Sequence, residues 1–355
     1  MTQPAALDHV RDQVGRALTG FLRRQRAVAG QIAAELLPAV DAVGEVLAGG
    51  KRLRAAFCYW GWRGAGGADQ PEIFTAAAAL ELLHASALVH DDVLDDSDTR
   101  RGRPALHRLL ESRHAAAGWR GRPEAFGRGA AIILGDLLLA WSDELFGASG
   151  LPPSALGRGR SVLDVMRTEV LAGQYLDLLE QAAGDSSLAG ALRVVRYKTA
   201  KYTIERPLHL GAALAGSAGP ALADGYSRYG LPLGVAFQLR DDVLGVFGDP
   251  AETGKPAGDD VREGKRTVLV AIAREKATAA QAGALDRLLG DPSAGQEGLA
   301  EFRALLAGTG ALAECEMMID RYVTEALAAL DPLPVPPEAK AALAGLAVTA
   351  TARRG

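Results

Sequence analysis

The chain has 355 residues, 48% of them apolar but only 5% aromatic, and a formal net charge of −4. That length admits one large domain or two, and no stretch has a linker's composition, so a single domain over residues 1–355 is expected. Net negative charge without a concentrated basic face excludes nucleic acid as the main partner. Ala and Leu dominate where β-branched residues would fill a sheet, which predicts an all-α protein with a large buried core. Cys58 and Cys315 are too few for a disulfide framework or a zinc site and point to a reducing cytoplasm. Residues 1–14 carry no apolar signal-peptide region. The most apolar run, 130–141, is too short to span a bilayer and is interrupted by Asp136, so no transmembrane segment is expected.

From residue 6 to about 46 the pattern is helical, with Val10, Val14, Leu18 and Leu22 at spacings of four, which predicts a pair of peripheral helices. Gly49 and Gly50 break it and introduce Lys51, Arg52 and Arg54 just before the next apolar helix. A basic cluster at a helix start is ordinarily a solvated surface; lying ahead of an aspartate-rich helix gives this one more weight. Residues 64–71 form a loop, and Pro71 followed by Glu72 opens a helix. That helix runs into Asp91, Asp92 and Asp95, a DDxxD pattern whose i and i+4 carboxylates share one face about 6 Å apart. Alone, such a cluster can be a solvated helix end. Its chemical use is to share divalent cations, and hard oxygen ligands without His or Cys favour magnesium, which takes one or two protein carboxylates and completes its shell with water and phosphate. Arg100 and Arg101 follow, and guanidinium is well shaped to grip phosphate oxygens. His84 lies about two turns before Asp91 on the same face, where a substrate contact is the preferred reading over a satisfied core histidine.

Residues 113–129 read as a loop or short irregular helix, 130–146 as a buried helix interrupted by Gly135 and Asp136, and 147–159 as a loop. Helix signals resume near residue 161; Gly173, Gln174 and Asp177 sit in that helix and Lys198 with Thr199 in the next. These polar groups either face water or, if buried, find a partner in a polar ligand. A second apolar helix, kinked or begun by Pro232, ends in Gln238, Asp241 and Asp242. Two helices ending in paired aspartates can face each other across a cleft and hold several magnesium ions. Residues 248–264, with Gly254, Pro256 and Gly258 amid charges, form a long polar loop bearing Lys255, with Lys265 just beyond, and are a candidate lid. From 268 onward the chain is helical with breaks at 291–295 and 331–337, and packing is its default role.

Seven motifs in order carry a resemblance to the trans-isoprenyl diphosphate synthase (polyprenyl synthetase) family, and within it to bacterial geranylgeranyl diphosphate synthases. They are GGKRLR at 49–54, HASALVHDDVLDDSDTRRG at 84–102, GD at 135–136, GQYLD at 173–177, KT at 198–199, FQLRDD at 237–242 and GKPAGDDVREGKRT at 254–267. The resemblance implies a helical bundle of the isoprenoid synthase type, acting as a homodimer on isopentenyl diphosphate and an allylic diphosphate (dimethylallyl, geranyl or farnesyl). It implies that Asp91 and Asp95 bind two magnesium ions and Asp241 a third, with Asp92 and Asp242 beside them. Arg100, Lys198 and Lys255 would hold the allylic diphosphate, and Lys51, Arg54, His84 and Arg101 the isopentenyl diphosphate. Gln238 would lie near the reacting carbons, with Thr199 and Lys265 also in contact with substrate. Two departures stand out. Gly245 replaces the last aspartate common in the second motif, and Ala55 stands where the family commonly has Pro, implying a slightly looser loop.

These parts suit head-to-tail prenyl transfer, with a class I terpene cyclase and a non-catalytic partner subunit as the rivals. A cyclase has no need of the second diphosphate pocket made by Lys51, Arg54 and His84, and a silent subunit should have lost aspartates. Ser86 and Ala87 are small and lie about 6 to 7.5 Å below Asp91 along its helix, so a growing tail should pass them and meet a floor near Leu83 or Leu80. That predicts a twenty-carbon product, with longer chains as the runner-up.

Overall fold

The computed structural model describes residues 3–184, 187–216, 219–248, 258–291 and 293–351. Among them the protein is all-α, with a single two-stranded antiparallel pair, Thr99–Arg100 with Arg103–Pro104, at the end of the first aspartate motif. The chain forms two compact units, Met1–Tyr59 with Ala68–Gly157, and Trp60–Gly67 with Arg158–Gly355.

The first unit contains α1 (Gln3–Ile32), α2 (Leu37–Leu47), the start of α3 (Leu53–Gly64), α4 (Pro71–Leu94), α5 (Leu106–Ala116) and α6 (Pro123–Gly147). The buried stripe of α1 is Val10, Val14, Leu18 and Phe21, so it turns at Phe21 and leaves Leu22 at the margin. Phe21 meets Trp141 of α6 edge-on at 5.9 Å. The four alanines 76–79 of α4 are fully buried, which lets α6 approach closely, and the Ser142 hydroxyl donates to the Ala79 carbonyl at 2.7 Å. Both α4 and α6 are long and apolar enough to cross a membrane by length and composition alone; they pack on each other here, with the apolar stretch of α4 mostly buried and that of α6 less than half buried.

The stretch 113–129, expected as a loop or short irregular helix, and the loop expected over 147–159 are both more helical than predicted. Within 113–129 only residues 117–122 are non-helical, because α5 continues to Ala116 and Pro123 sits in the first turn of α6. Likewise Pro153 opens α7 (Pro153–Ala183), leaving only 148–152 between the helices. Proline's fixed φ and missing N–H suit a helix start, so in both places it marks a beginning rather than a break. Nor is α6 wholly buried: Ile132 and Ile133 are exposed.

In the second unit α8 (Leu188–Val194) runs into a π-helical segment, Val195–Glu205, and then α9 (Arg206–Ala215). Next come α10 (Pro220–Phe247), the short turn α11 (Asp259–Arg262), α12 (Val268–Lys276), α13 (Ala279–Leu288), α14 (Gln296–Gly308), α15 (Ala311–Leu330) and α16 (Pro337–Thr351). Here α10 starts at Pro220 and continues through Pro232. Residues 268–273 of α12 are buried all round at the centre of a core with Leu239, Val243, Leu285, Phe302 and Ile319. Arg240 of α10 grips Glu316 of α15 through both guanidinium nitrogens, at 2.6 and 2.7 Å. Of the candidate lid, residues 249–257, including Gly254, Lys255 and Pro256, lie outside the described residues.

Candidate active site

In the first unit the open side of α4 carries His84, Ala87, Leu88 and Asp91, all partly exposed, at the i, i+3, i+4, i+7 spacing of one helix face. Leu80, one turn below His84 on that face, is fully buried, and Leu83 and Ser86 are only 4% and 3% exposed. Of the two small residues below the aspartates, Ala87 is therefore the one on the open side. At the helix end Asp91 and Asp95 are partly exposed and Asp92 is buried. Asp92 is neutralised by Arg100, whose Nε donates to Oδ1 at 2.8 Å and whose Nη2 reaches the same oxygen; Asp91 Oδ2 is 3.7 Å from Nη2. The two-stranded pair delivers that guanidinium: Arg101 and Gly102 both have positive φ, 54° and 72°, as a two-residue hairpin turn requires. Nothing in the helical pattern announced this hairpin; the Arg-Gly pair between two short extended runs was its sequence signal.

The basic turn lies in the same unit. Gly49, Gly50 and Arg52 have φ of 76°, 83° and 52°, so the chain reverses sharply before α3. A Cβ on Gly50 would sit 3.2 Å from the Arg101 guanidinium, and Arg101 Nη1 donates to the Ala48 carbonyl at 3.4 Å. The His84 imidazole is held well below its ordinary range, by burial first and then by the guanidinium groups of Arg54, Arg101, Arg100 and Arg52. The ring is thus neutral, with four guanidinium groups near enough to disfavour its protonation, and presents a hydrogen bond rather than a charge. Sequence reasoning missed Glu81, 5% exposed, which accepts from Arg52 Nη1 at 3.1 Å and from the Ala55 N–H at 3.4 Å. Ala55 lies within α3 rather than in the loop, and it supplies a backbone donor that Pro in its place would lack.

In the second unit Lys198 and Thr199 sit in the π-helical segment, clasped by glycines on both sides. A Cβ on Gly173 of α7 would fall 2.4 Å from Lys198 N, and one on Gly234 of α10 2.4 Å from Ala200 Cα. Lys198 Nζ donates to Asp177 Oδ2 at 2.7 Å. The Thr199 hydroxyl donates to Gln238 Oε1 at 2.7 Å, and Gln238 Nε2 donates to Asp242 Oδ1 at 2.7 Å. Asp242 is 5% exposed, and burial pushes its carboxyl up to about 8, against the opposing Gln238 hydrogen bond and with further upward pressure from Asp260, Asp241 and Asp177. Asp241 is exposed at the end of the same helix. With the Asp260 carboxylate where it lies, a Cβ at position 245 would meet its Oδ2 at 2.0 Å, so a third aspartate there would require that side chain to move. Asp260, which no feature of its motif singled out beforehand, occupies that space, with Lys265 3.4 Å from Oδ1. Lys265 also pairs with Glu263 at 2.7 Å.

Among the described residues no three His, Cys, Asp or Glu side chains converge closely enough to hold an ion by themselves. The donor chemistry still fits magnesium: each motif offers carboxylates only, and a carboxyl kept protonated to about 8 beside three other aspartates marks a place short of positive charge. Magnesium commonly takes one or two protein carboxylates and the rest of its shell from water and substrate phosphate.

Paired carboxylates beside guanidinium groups and apolar helix faces define an enzyme that handles diphosphates with apolar tails, a prenyltransferase. Residues 39–306 match the polyprenyl synthetase family model, and the chain belongs to that family. It is similar to the crystal structure of a geranylgeranyl pyrophosphate synthase from Corynebacterium glutamicum complexed with isoprenyl diphosphate and magnesium, at 42% identity over the whole of both chains and a TM-score of 0.94. Among named relatives, the geranylfarnesyl diphosphate synthase of Aeropyrum pernix is 33% identical over 81% of this chain and 85% of its own length. The geranylgeranyl diphosphate synthase of Saccharolobus solfataricus is 33% identical over 71% of each.

Proposed function

We propose that this prenyltransferase condenses isopentenyl diphosphate head-to-tail with an allylic diphosphate and releases geranylgeranyl diphosphate, a twenty-carbon product. The observation that carries the reading is that the turn bearing Lys51 and Arg54 and the hairpin bearing Arg101 meet in one unit with His84 and the first aspartate pair, the Arg101 guanidinium standing beside Gly50 and donating to the Ala48 carbonyl. That grouping supplies more cationic capacity than one metal-held diphosphate needs, which favours a two-substrate synthase over a cyclase. Intact aspartate pairs in both motifs disfavour a silent subunit.

In this reading Asp91, Asp95 and Asp241, with Asp92 and Asp242 beside them, hold three magnesium ions. Bound magnesium draws negative charge off the departing diphosphate. Arg100, Lys198 and Lys255 orient that diphosphate while the allylic C–O bond breaks. Lys51, Arg54, Arg101 and His84 fix the isopentenyl diphosphate so that its double bond faces the allylic carbon, and a new C–C bond forms. The proton then lost is taken by the released diphosphate. Gln238, locked between Thr199 and Asp242, presents a fixed amide dipole on the open side of α10, near the reacting carbons. Most of the rate enhancement is electrostatic preorganisation and alignment. Substrate contacts by Thr199 and Lys265, a lid at 248–264, a single polyprenyl synthetase domain and a cytoplasmic setting complete the reading. Exposed Leu171, Tyr175 and Leu179, one stripe on α7, support a homodimer.

Product length is argued from the open side of α4. A tail held at Asp91 runs down the helix past Ala87 towards buried Leu83 and Leu80, the latter about 16 Å along the axis at 1.5 Å per residue. Ala87→Phe should block that path and shift the main product from twenty to fifteen carbons, read by extraction and sizing of labelled products. Ser86→Phe puts the ring into the packed interior and should lower the melting temperature as well, because overpacking typically costs about 1–3 kcal/mol. An unchanged product from Ala87→Phe would show that the tail does not run along this face.

A further inference from the structure

Glu81 has no place in the chemistry described so far, yet it is a carboxylate 5% exposed among the buried apolar residues of α4. We propose that Glu81 is a positioning residue: it fixes the turn at 49–54 and, through it, the pocket for the second diphosphate. The proposal rests on the assignment of that pocket to isopentenyl diphosphate.

Two contacts make the case. Arg52 sits in left-handed backbone geometry, φ 52°, which ordinarily disfavours a side chain of its size. What holds it is its inward-turned guanidinium, which donates Nη1–H to Glu81 Oε2 at 3.1 Å and Nη2–H to the Leu47 carbonyl. The arginine thereby ties the end of α2 to the middle of α4 across the turn. The second contact is at α3. Arg52 immediately precedes that helix, so Ala55 is its third residue, and the Ala55 N–H is one of the donors a helix start leaves unsatisfied. Glu81 Oε1 accepts it at 3.4 Å, so a carboxylate from another helix does what a local capping side chain ordinarily does, with the favourable sign of charge for a helix N-terminus.

The division of labour within the GGKRLR motif follows. Arg52 is used up as the counter-charge of Glu81, each 10% exposed or less. Lys51 and Arg54, on either side of it and partly exposed, are set by the clamp to approach an anion. Glu81 also shares the α4 face of His84 and Asp91, so turn, imidazole and metal motif are held in register on one rigid helix. A charged pair is suited to this because a hydrophobic substitute would fill the space without fixing the turn's orientation.

The test compares Glu81→Gln, which keeps an acceptor for the Ala55 N–H but drops the charge, with the double variant Arg52→Leu/Glu81→Leu, which removes both buried charges and can keep the fold where the single change cannot. Arg54→Ala is measured alongside, with KM for each substrate, kcat and melting temperature. Each Glu81 variant should raise KM for isopentenyl diphosphate by roughly tenfold or more, the loss expected when charge-assisted contacts are misaligned. KM for the allylic diphosphate and kcat at saturation should stay within about threefold. Folded variants with an unchanged isopentenyl KM, or with equal losses for both substrates, would overturn the positioning role, and so would a double variant that does not fold, which would make the pair a core element only. If Arg54→Ala itself leaves the isopentenyl KM unchanged, the pocket assignment fails instead, and the two failures are told apart.

Discussion

The chain spells Asp-Asp-Val-Leu twice, at 91–94 and at 241–244, each time at the end of a long helix, and buries the second aspartate of each almost completely. The two buried carboxylates are accommodated in opposite ways. Asp92 takes the guanidinium of Arg100 as its counter-ion. Asp242 takes the neutral amide of Gln238 and stands among Asp241, Asp260 and Asp177, so its carboxyl stays protonated up to about 8. A buried charge must be paired or neutralised, and the same tetrapeptide does one or the other according to what the following residues bring to it. After the first motif a hairpin turn returns an arginine; after the second, a four-residue helical turn returns Asp260 into the space left by Gly245. The buried carboxylate of the first motif is thus paired with a cation before loading, while that of the second is short of positive charge.

The largest effects should come from the exposed first aspartates. Asp91→Ala and Asp241→Ala should each lower turnover by two or more orders of magnitude, of the size seen when an electrostatic stabiliser of the transition state is removed. Helical content and melting temperature should stay close to wild type, since removing one of several like charges relieves repulsion. A variant with near-normal turnover would remove that motif from the chemistry and end the parallel between the two.

Smaller effects separate the buried partners. Arg100→Leu strands the Asp92 carboxylate and should destabilise the protein by about 3 kcal/mol in urea unfolding, because removing one member of a buried pair leaves an uncompensated charge. Asp242→Asn should do the reverse. With its folded-state pKa near 8 and its ordinary value at 3.8, Asp242 contributes stability that is fully present below about pH 4 and is lost progressively as pH rises to about 8. The metal-free Asn variant should therefore melt above wild type at about pH 8.5 and close to it below about pH 4, the gap opening between those values. A gap that widens toward acid pH would mean that Asp242 is ionised in the empty protein and that the two motifs are alike.

Much of this was legible in the sequence, for reasons that also explain what was not. The helices of both motifs and the roles expected of their aspartates follow from apolar periodicity running into paired carboxylates, a local pattern. The loops at 117–122 and 148–152 are shorter than local composition suggests, because Pro123 and Pro153 start helices. Glu81 passed unnoticed because its partners, Arg52 and Ala55, are more than twenty residues away and single buried charges carry no periodic signal. Gly245 read as a defect for the same reason: only the fold brings Asp260 to it.

The most direct test of the whole account is to incubate the purified chain alone with labelled isopentenyl diphosphate, dimethylallyl or farnesyl diphosphate and magnesium, and to size the extracted products. The account predicts a linear twenty-carbon diphosphate that depends on both substrates and disappears when the metal is chelated. Failure to incorporate the isopentenyl label, or release of a cyclic hydrocarbon from the allylic substrate alone, would contradict it.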